Sequence, residues 1–285
     1  MTRVGIVGAG HTGRALGRLL AQAGWSVEGV ACRSEGRARE AVAFIGTGRP
    51  TADAAAASRG ADVVLVTVPD AAIEATAERL EPEAGATVAH ACGALPADAL
   101  AAVRRRGAHA GAVHPLRSFA DPELAARRFA GTFCAVDGDA PAVESLTRLV
   151  AAIGGTPLPV APGGKALYHA GAVFASNYVV ASLEAALRLF AAAGIPRDRA
   201  LAPLVALARG TVENVEAVGL PAALTGPVER GDAETVRRHV AALRERAPGL
   251  SEAYAALARL ACEVALAKGT IDAAAAGRIT SELAR

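Results

Sequence analysis

Through its first half the chain alternates short apolar, β-branched runs with longer stretches of helical periodicity. Residues 3–8 read RVGIVG, the glycine-punctuated GAGHTG overlaps and follows, and RALGRLLAQAG then places apolar residues at helical spacing. That order predicts strand, turn and helix. Further strand-like runs are SVEGVACRS, DVVLVTVP, ATVAHA, AHAGAVHP and GTFCAVDG, with TPLPV a weaker one, and helical patterns lie between most of them. The expected fold is therefore α/β, with an N-terminal doubly wound sheet. In such sheets ligands lie beyond the carboxyl ends of the strands. TVPD (67–70), HACGAL (90–95) and HPLRSF (114–119) all fall at such ends, and Asp70 is placed to cap the helix AAIEATAERL.

After about residue 160 the strand signal stops, which divides the chain into an α/β domain over 1–160 and an all-α domain over 161–285. GKALYHAGAVFASNYVVASLEAALRLFAAAG predicts one long, largely apolar helix ending at Gly194, with Pro196 beyond it. A second helix follows, interrupted or kinked at Pro203, and LPAALTGPVERGD is a loop. Asp232 caps a third helix, Ser251 opens a fourth, and the last follows Thr270. A helix of about thirty residues that is apolar nearly all round must be covered, between the domains or in a dimer, and a homodimer through this domain is the expectation.

Composition narrows the class. Of 285 residues, 52% are hydrophobic and 20% charged, as in a folded globular protein. The formal net charge of +2 is spread thinly, aromatics are sparse, and no basic stripe points to a nucleic-acid partner. Cys32, Cys92, Cys134 and Cys262 lie far apart and read as reduced thiols, in keeping with a cytoplasmic location, as does a chain that begins directly in a strand. Arg, Gly or Pro break the apolar runs before they reach membrane-spanning length, so no membrane partner is expected. The six histidines form no pair at metal-ligand spacing, and no metal is expected.

The glycine turn carries the first chemical signal. Gly8, Gly10 and Gly13 stand as G-x-G-x-x-G between a strand and a helix. Gly8 permits the tight turn, Gly10 lets the backbone approach a pyrophosphate, and Gly13 lets helix and strand pack closely, with the amides around His11 and Thr12 facing the anion. The end of the second strand selects the cofactor. Where an NAD-binding chain usually carries Asp or Glu, this one reads Cys32, Arg33 and Ser34, a guanidinium and a hydroxyl suited to a 2′-phosphate. NADP(H) is the expected cofactor, with Thr67, Val68 and Pro69 lying along it.

A reductase using such a cofactor needs a proton-transfer group and a clamp for the rest of the substrate. Only Lys165 and Lys268 are lysines in a chain that otherwise uses arginine. On an ideal helix Lys165 and His169 lie about 40° apart and Ser176 about 20° from Lys165, while Asn177 is turned by about 120°. Lys165, His169 and Ser176 are thus candidates for the catalytic group, with Asn177 beside the substrate. His114 is a further candidate, because Pro115 ends its strand and an imidazole exchanges protons near neutrality. Arg117 could clamp a carboxylate in bidentate fashion, and Thr225 and Arg230 could reach the substrate from the LTGPVERGD loop. His90 is a weaker candidate. His11 packs near the pyrophosphate, and His109 and His239 read as structural.

Taken together, GAGHTG, TVPD, HACGAL, HPLRSF, YHAGAVFASNY and ALTGPVERGD resemble a family of Rossmann-like NADP oxidoreductases with a helical C-terminal domain of uncharacterised function, over about residues 3–270. More distantly the chain is similar to pyrroline-5-carboxylate reductase, the F420-dependent NADP reductases, ketopantoate reductase and the β-hydroxyacid dehydrogenases. In the last two groups a lysine followed four residues on by an asparagine acts at the substrate oxygen; here the pair is Lys165 and His169. The His114–Pro115 step is similar to a segment of prephenate dehydrogenase in which the histidine meets the substrate hydroxyl. The resemblance implies an NADPH-dependent reductase of a small keto acid, of the ketopantoate type. The alternatives are an imine reductase of the pyrroline-5-carboxylate reductase type, a dehydrogenase running oxidatively, and a non-catalytic NADP-binding sensor.

Overall fold

A computed structural model describes residues 1–284, which form two compact units divided between Val173 and Phe174. The first is built on eight strands: β1 (Arg3–Val7), β2 (Ser26–Ala31), β3 (Arg49–Thr51), β4 (Val63–Val66), β5 (Thr87–His90), β6 (His109–Pro115), β7 (Phe133–Gly138) and β8 (Thr156–Pro159). Their order in the sheet is β3-β2-β1-β4-β5-β6-β7-β8, and every pairing is parallel except β6 with β7. Helices α1 (His11–Gln22), α2 (Glu35–Ile45), α3 (Ala54–Ser58), α4 (Ile73–Ala77), α5 (Ala101–Arg104), α6 (Pro122–Arg127) and α7 (Ala140–Ala152) connect the strands.

Period-two alternation splits the core into two layers. Val63 and Leu65 of β4 join Val4, Ile6, Leu16, Leu20, Phe129 and Leu146 on one face. Val64 and Val66 join Ile73, Leu80, Val88, Leu100 and Val103 on the other. Both faces are covered, which is why the central strands are nearly continuous apolar runs. The weak TPLPV run is the edge strand β8, whose exposed positions account for the faint signal. β3, Arg-Pro-Thr, carries no strand pattern at all; it forms because it completes the other edge beside β2.

Asp70 does not cap a helix as expected. It begins a 3-10 turn, Asp70–Ala72, that leads into α4, and Pro69 occupies the position before it. The three residues after Pro69 keep i to i+3 bonding, with the Ala72 amide donating to the Pro69 carbonyl at 2.8 Å.

The expected thirty-residue helix is two: α8 (Lys165–Ala175) and α9 (Asn177–Ala192). Ser176 leaves the helical range at φ −126°, ψ −71°, where a serine and an asparagine are both weak helix formers. The break overturns the shared stripe: Ser176 does not continue the face of Lys165 and His169. Within the single chain this segment is largely uncovered. Lys165 is the one buried residue in α8 and Leu187 the one in α9. By length and composition alone, residues Lys165–Ala192, mean hydropathy 1.3, match a membrane span, in contrast to the expectation that no run does. They do so because only Lys165, Glu184 and Arg188 interrupt the segment with charge.

The second unit continues with α10 (Arg197–Val218), α11 (Ala233–Arg246), α12 (Ser251–Lys268) and α13 (Ala273–Ala284). Pro203 sits inside α10, which runs through it without interruption, in its second turn. Asp232 caps α11 through the Thr235 amide at 2.9 Å and the Thr235 hydroxyl at 2.7 Å. Val236, Val240, Cys262 and Ile279 form the main core of this unit, and Leu187, Ala200 and Leu204 a smaller one.

Candidate active site

The glycine turn closes over β1 as its spacing requires. Gly8 has φ +93°, and a Cβ there would lie 2.5 Å from Val68 Cγ1. A Cβ on Gly13 would lie 2.4 Å from Thr67 Oγ1, whose hydroxyl donates to the Gly8 carbonyl at 2.9 Å. Thr67 and Val68 therefore hold the turn from the end of β4. Gly10 differs: the nearest atom to a Cβ there is 4.0 Å away, so its outer side is open. As the cap of α1 it has no side chain to bond the first-turn amides, which leaves them for an anion. His11 is anchored sideways, its Nδ1 3.0 Å from the Phe119 carbonyl oxygen. Arg33 and Ser34 follow β2 and are exposed, with Ser34 opening α2 and accepting from the Arg37 amide at 3.5 Å. These residues fit a phosphorylated dinucleotide.

A cleft of about 370 Å³ runs from this turn to the end of β6. Thr12, His114, Pro115 and Arg117 are among the residues that line it. Arg117 is partly buried and spends one N–H on Thr132 Oγ1 at 3.1 Å, which steadies the guanidinium and leaves donors free.

β6, β7 and the first turn of α8 converge behind His114. Its Nδ1 is 2.8 Å from the Tyr168 hydroxyl, and the two rings meet edge to face with centroids 5.8 Å apart. The His169 ring also approaches, at 6.1 Å. Burial, then the Lys165 charge, pulls His114 down to about 4, so the imidazole is neutral at physiological pH. Burial pushes the Tyr168 phenol up to about 12, so it keeps its proton. Lys165 is buried, and its ammonium donates to Asp137 Oδ1 at 2.7 Å. His90 is fully buried and fully used: its Nδ1 accepts from the Cys92 amide at 3.2 Å and its Nε2 lies 3.0 Å from the Pro96 carbonyl. Cys92 is buried and accepts from the Ala94 and Leu95 amides, both at 3.3 Å.

The first unit thus brings together His114, His169 and Lys165, with Arg117 on the cleft that His114 also lines. Ser176, Asn177, Thr225 and Arg230 belong to the second unit and are exposed. Tyr168 and Asp137 are absent from the candidates read off the sequence. Tyr168 stands three residues after Lys165, on the face that also carries His169, so helix spacing could have found it. Asp137 could not be found that way, because only the β7 register carries it to Lys165. Among the described residues no group of three or more His, Cys, Asp or Glu could hold a metal ion.

Residues 1–115 match the Rossmann-like domain, and residues 132–261 match a domain of unknown function, DUF2520. No curated protein matches the chain. Among solved structures, a protein from Thermotoga maritima is 24% identical, with a TM-score of 0.75 over 93% of this chain and 99% of that one. An assigned NADP oxidoreductase from Bacteroides fragilis is 21% identical, with a TM-score of 0.68 over 92% and 98%. An imine reductase variant from Myxococcus stipitatus, in complex with NAD+, is 17% identical, with a TM-score of 0.66 over 100% and 99%. Likeness at these identities establishes a shared fold. The two matches lie in succession, a Rossmann-like domain followed by a region similar to DUF2520.

Proposed function

We propose that the protein is an NADPH-dependent oxidoreductase that reduces the carbonyl of a small keto acid. The observation that carries this reading is the cleft itself: a phosphate-binding helix terminus at Thr12 and a proton donor and cation at His114 and Arg117 line one 370 Å³ space. The first-turn amides of α1 and the open side of Gly10 would hold the pyrophosphate. Arg33 and Ser34 would hold the 2′-phosphate, and Pro69 would lie along the cofactor. Bound there, a nicotinamide supplies the hydride. Arg117 pairs with the substrate carboxylate, and His114 gives a proton to the oxygen as negative charge develops on it. Lys165 is a poorer donor than His114, because its ammonium is already committed to Asp137 away from solvent.

The carbonyl is preferred to an imine on chemical grounds. An iminium ion arrives already protonated, whereas a carbonyl oxygen must receive a proton as the hydride adds. A built donor beside the cleft favours the second case. The exposed apolar residues of α9 and α10, among them Val180 and Leu207 at 69% exposure each, support a homodimer in which a second copy covers them. A soluble, cytoplasmic enzyme is the setting this implies.

The test is NADPH consumption with pyruvate, acetoacetate and 1-pyrroline as probes of the 2-keto acid, β-keto acid and cyclic imine classes. Turnover of a keto acid in preference to the imine is expected. NADPH binding without turnover of any of the three would favour the sensor reading instead.

A further inference from the structure

The His114–Tyr168 pair holds one proton more than the hydrogen bonds among the described residues use. A neutral imidazole carries one N–H and a phenol one O–H, and the single hydrogen bond between them uses only one of the two. Neither group has another hydrogen-bond partner among the described residues. If Nδ1–H donates to the phenol, the Tyr168 proton is left over; if Tyr168 donates to Nδ1, the Nε2 proton is left over. Either way the pair has a donor with no acceptor among the described residues.

Position decides which. His114 lines the cleft and Tyr168 does not. The Nε2 edge of the ring faces Gly93: a Cβ on that residue would lie 2.8 Å from His114 Cε1, 2.9 Å from Nε2 and 2.6 Å from His169 Cδ2. Gly93 has no positive φ that would require glycine, so what its missing side chain permits is close approach of its backbone to the two imidazole rings. We propose that Tyr168 is a positioning residue for the reduction inferred above: its hydroxyl donates to Nδ1, fixing His114 as the Nε2–H tautomer and presenting that proton to a substrate oxygen in the cleft that His114 lines.

The proton balance is complete without charging the ring. As the hydride bonds to the carbonyl carbon, the Nε2–H bond breaks and the proton forms the product hydroxyl. The Tyr168 O–H proton moves to Nδ1, so the imidazole changes tautomer and stays neutral. The phenolate then takes a proton from solvent, restoring Tyr168. An imidazole neutral down to about pH 4 and a phenol protonated up to about pH 12 both suit this cycle. The charged and titratable groups acting on His114 are Lys165 and His169 on α8, Asp70 after β4 and His90 at the end of β5, of which only Asp70 raises it.

This rests on the proposed reduction for its purpose, but its test needs neither cofactor nor substrate. In the full chain labelled with ¹⁵N-histidine, NMR reads the two ring nitrogens of His114 directly. The expected result is an unprotonated Nδ1 and a protonated Nε2 at pH 7, with Tyr168→Phe populating both tautomers. Nδ1–H in the wild type, or the same tautomer at the same population in both proteins, would overturn it. Should Tyr168→Phe fail to fold, the wild-type spectrum decides alone. Failure of wild-type protein to bind NADPH, titrated separately by fluorescence, would remove the functional reading and leave the tautomer result standing.

Discussion

Lys165 and Asp137 form a buried ion pair, with Nζ 2.7 Å from Oδ1 and the two side chains only 5% and 14% exposed. It fastens the first residue of α8 to the penultimate residue of β7. The spare width of an ammonium against a guanidinium explains why this position keeps a lysine in an arginine-rich chain. Breaking such a pair leaves a buried charge uncompensated, at a cost of roughly 3–5 kcal/mol. Lys165→Met and Asp137→Ala are each expected to lower unfolding free energy by that order, and Lys165→Met with Asp137→Leu to recover most of it. Denaturant titration of the three variants measures this, and turnover per folded molecule should change little in Lys165→Met.

Arg33 is exposed and Ser34 opens α2 beside it, with no carboxylate in the triplet that follows β2. A charge-assisted hydrogen bond to a 2′-phosphate contributes about 1.5–3 kcal/mol. Arg33→Ala should therefore weaken NADPH binding by roughly 10- to 100-fold and leave NADH binding nearly unchanged. Wild-type protein that binds the two equally would show that the guanidinium does not select the cofactor.

His114 makes stability depend on pH in a defined window. Its folded value of about 4 lies below its ordinary 6.5, so the unfolded chain binds the proton more readily. The contribution is fully present above pH 6.5 and is lost as pH falls from there to about 4. The loss is at most about 3 kcal/mol, with the half-buried ring keeping it below that ceiling. His90, also lowered by burial, adds to the same slope. His114→Asn should flatten part of that slope in urea denaturation between pH 4 and 6.5, and an unchanged slope would contradict the neutral ring.

Gly93 tests the close packing of its backbone against His114. With a Cβ 2.9 Å from Nε2, Gly93→Ala must displace the His114 or His169 ring or cover the nitrogen. Turnover of the keto acid probe should fall by about tenfold or more, since general acid catalysis contributes roughly 10²–10⁴. NADPH affinity should not change, because Gly93 is not part of the glycine turn.

The exposed apolar residues of α9 and α10 predict a dimer in solution without detergent. Val180 and Leu207 are two-thirds exposed, and replacing both with Asp should give a folded monomer by sedimentation. A monomeric wild type would exclude the second copy and direct attention to the span-like composition of Lys165–Ala192.

Local order made much of the fold legible. The strand–glycine turn–helix at residues 3–22 and the apolar central strands could be read directly, because backbone preference and two-sided burial both act within a few residues. Asp232 could be read as a cap for the same reason. β3 and the break at Ser176 could not. The first is three residues paired only because the sheet has an open edge there, and the second interrupts a pattern whose apolarity continues unbroken across it.

For the candidate site the division is similar. Residue type and spacing were enough to mark Gly8, Gly10, Gly13, His114, Arg117, Lys165 and His169, since each sits in a short motif whose chemistry is local. The partner each side chain takes is a property of the tertiary structure. The register of β7 delivers Asp137 to Lys165, and the packing of α8 delivers Tyr168 to His114 across 54 residues. Composition and spacing alone marked the glycine turn as the expected phosphate site and His114, Lys165 and His169 as candidate proton carriers. Only the fold decided that the lysine is held in an ion pair and the histidine in a neutral hydrogen-bonded pair, because desolvation and hydrogen bonding act through space rather than along the sequence.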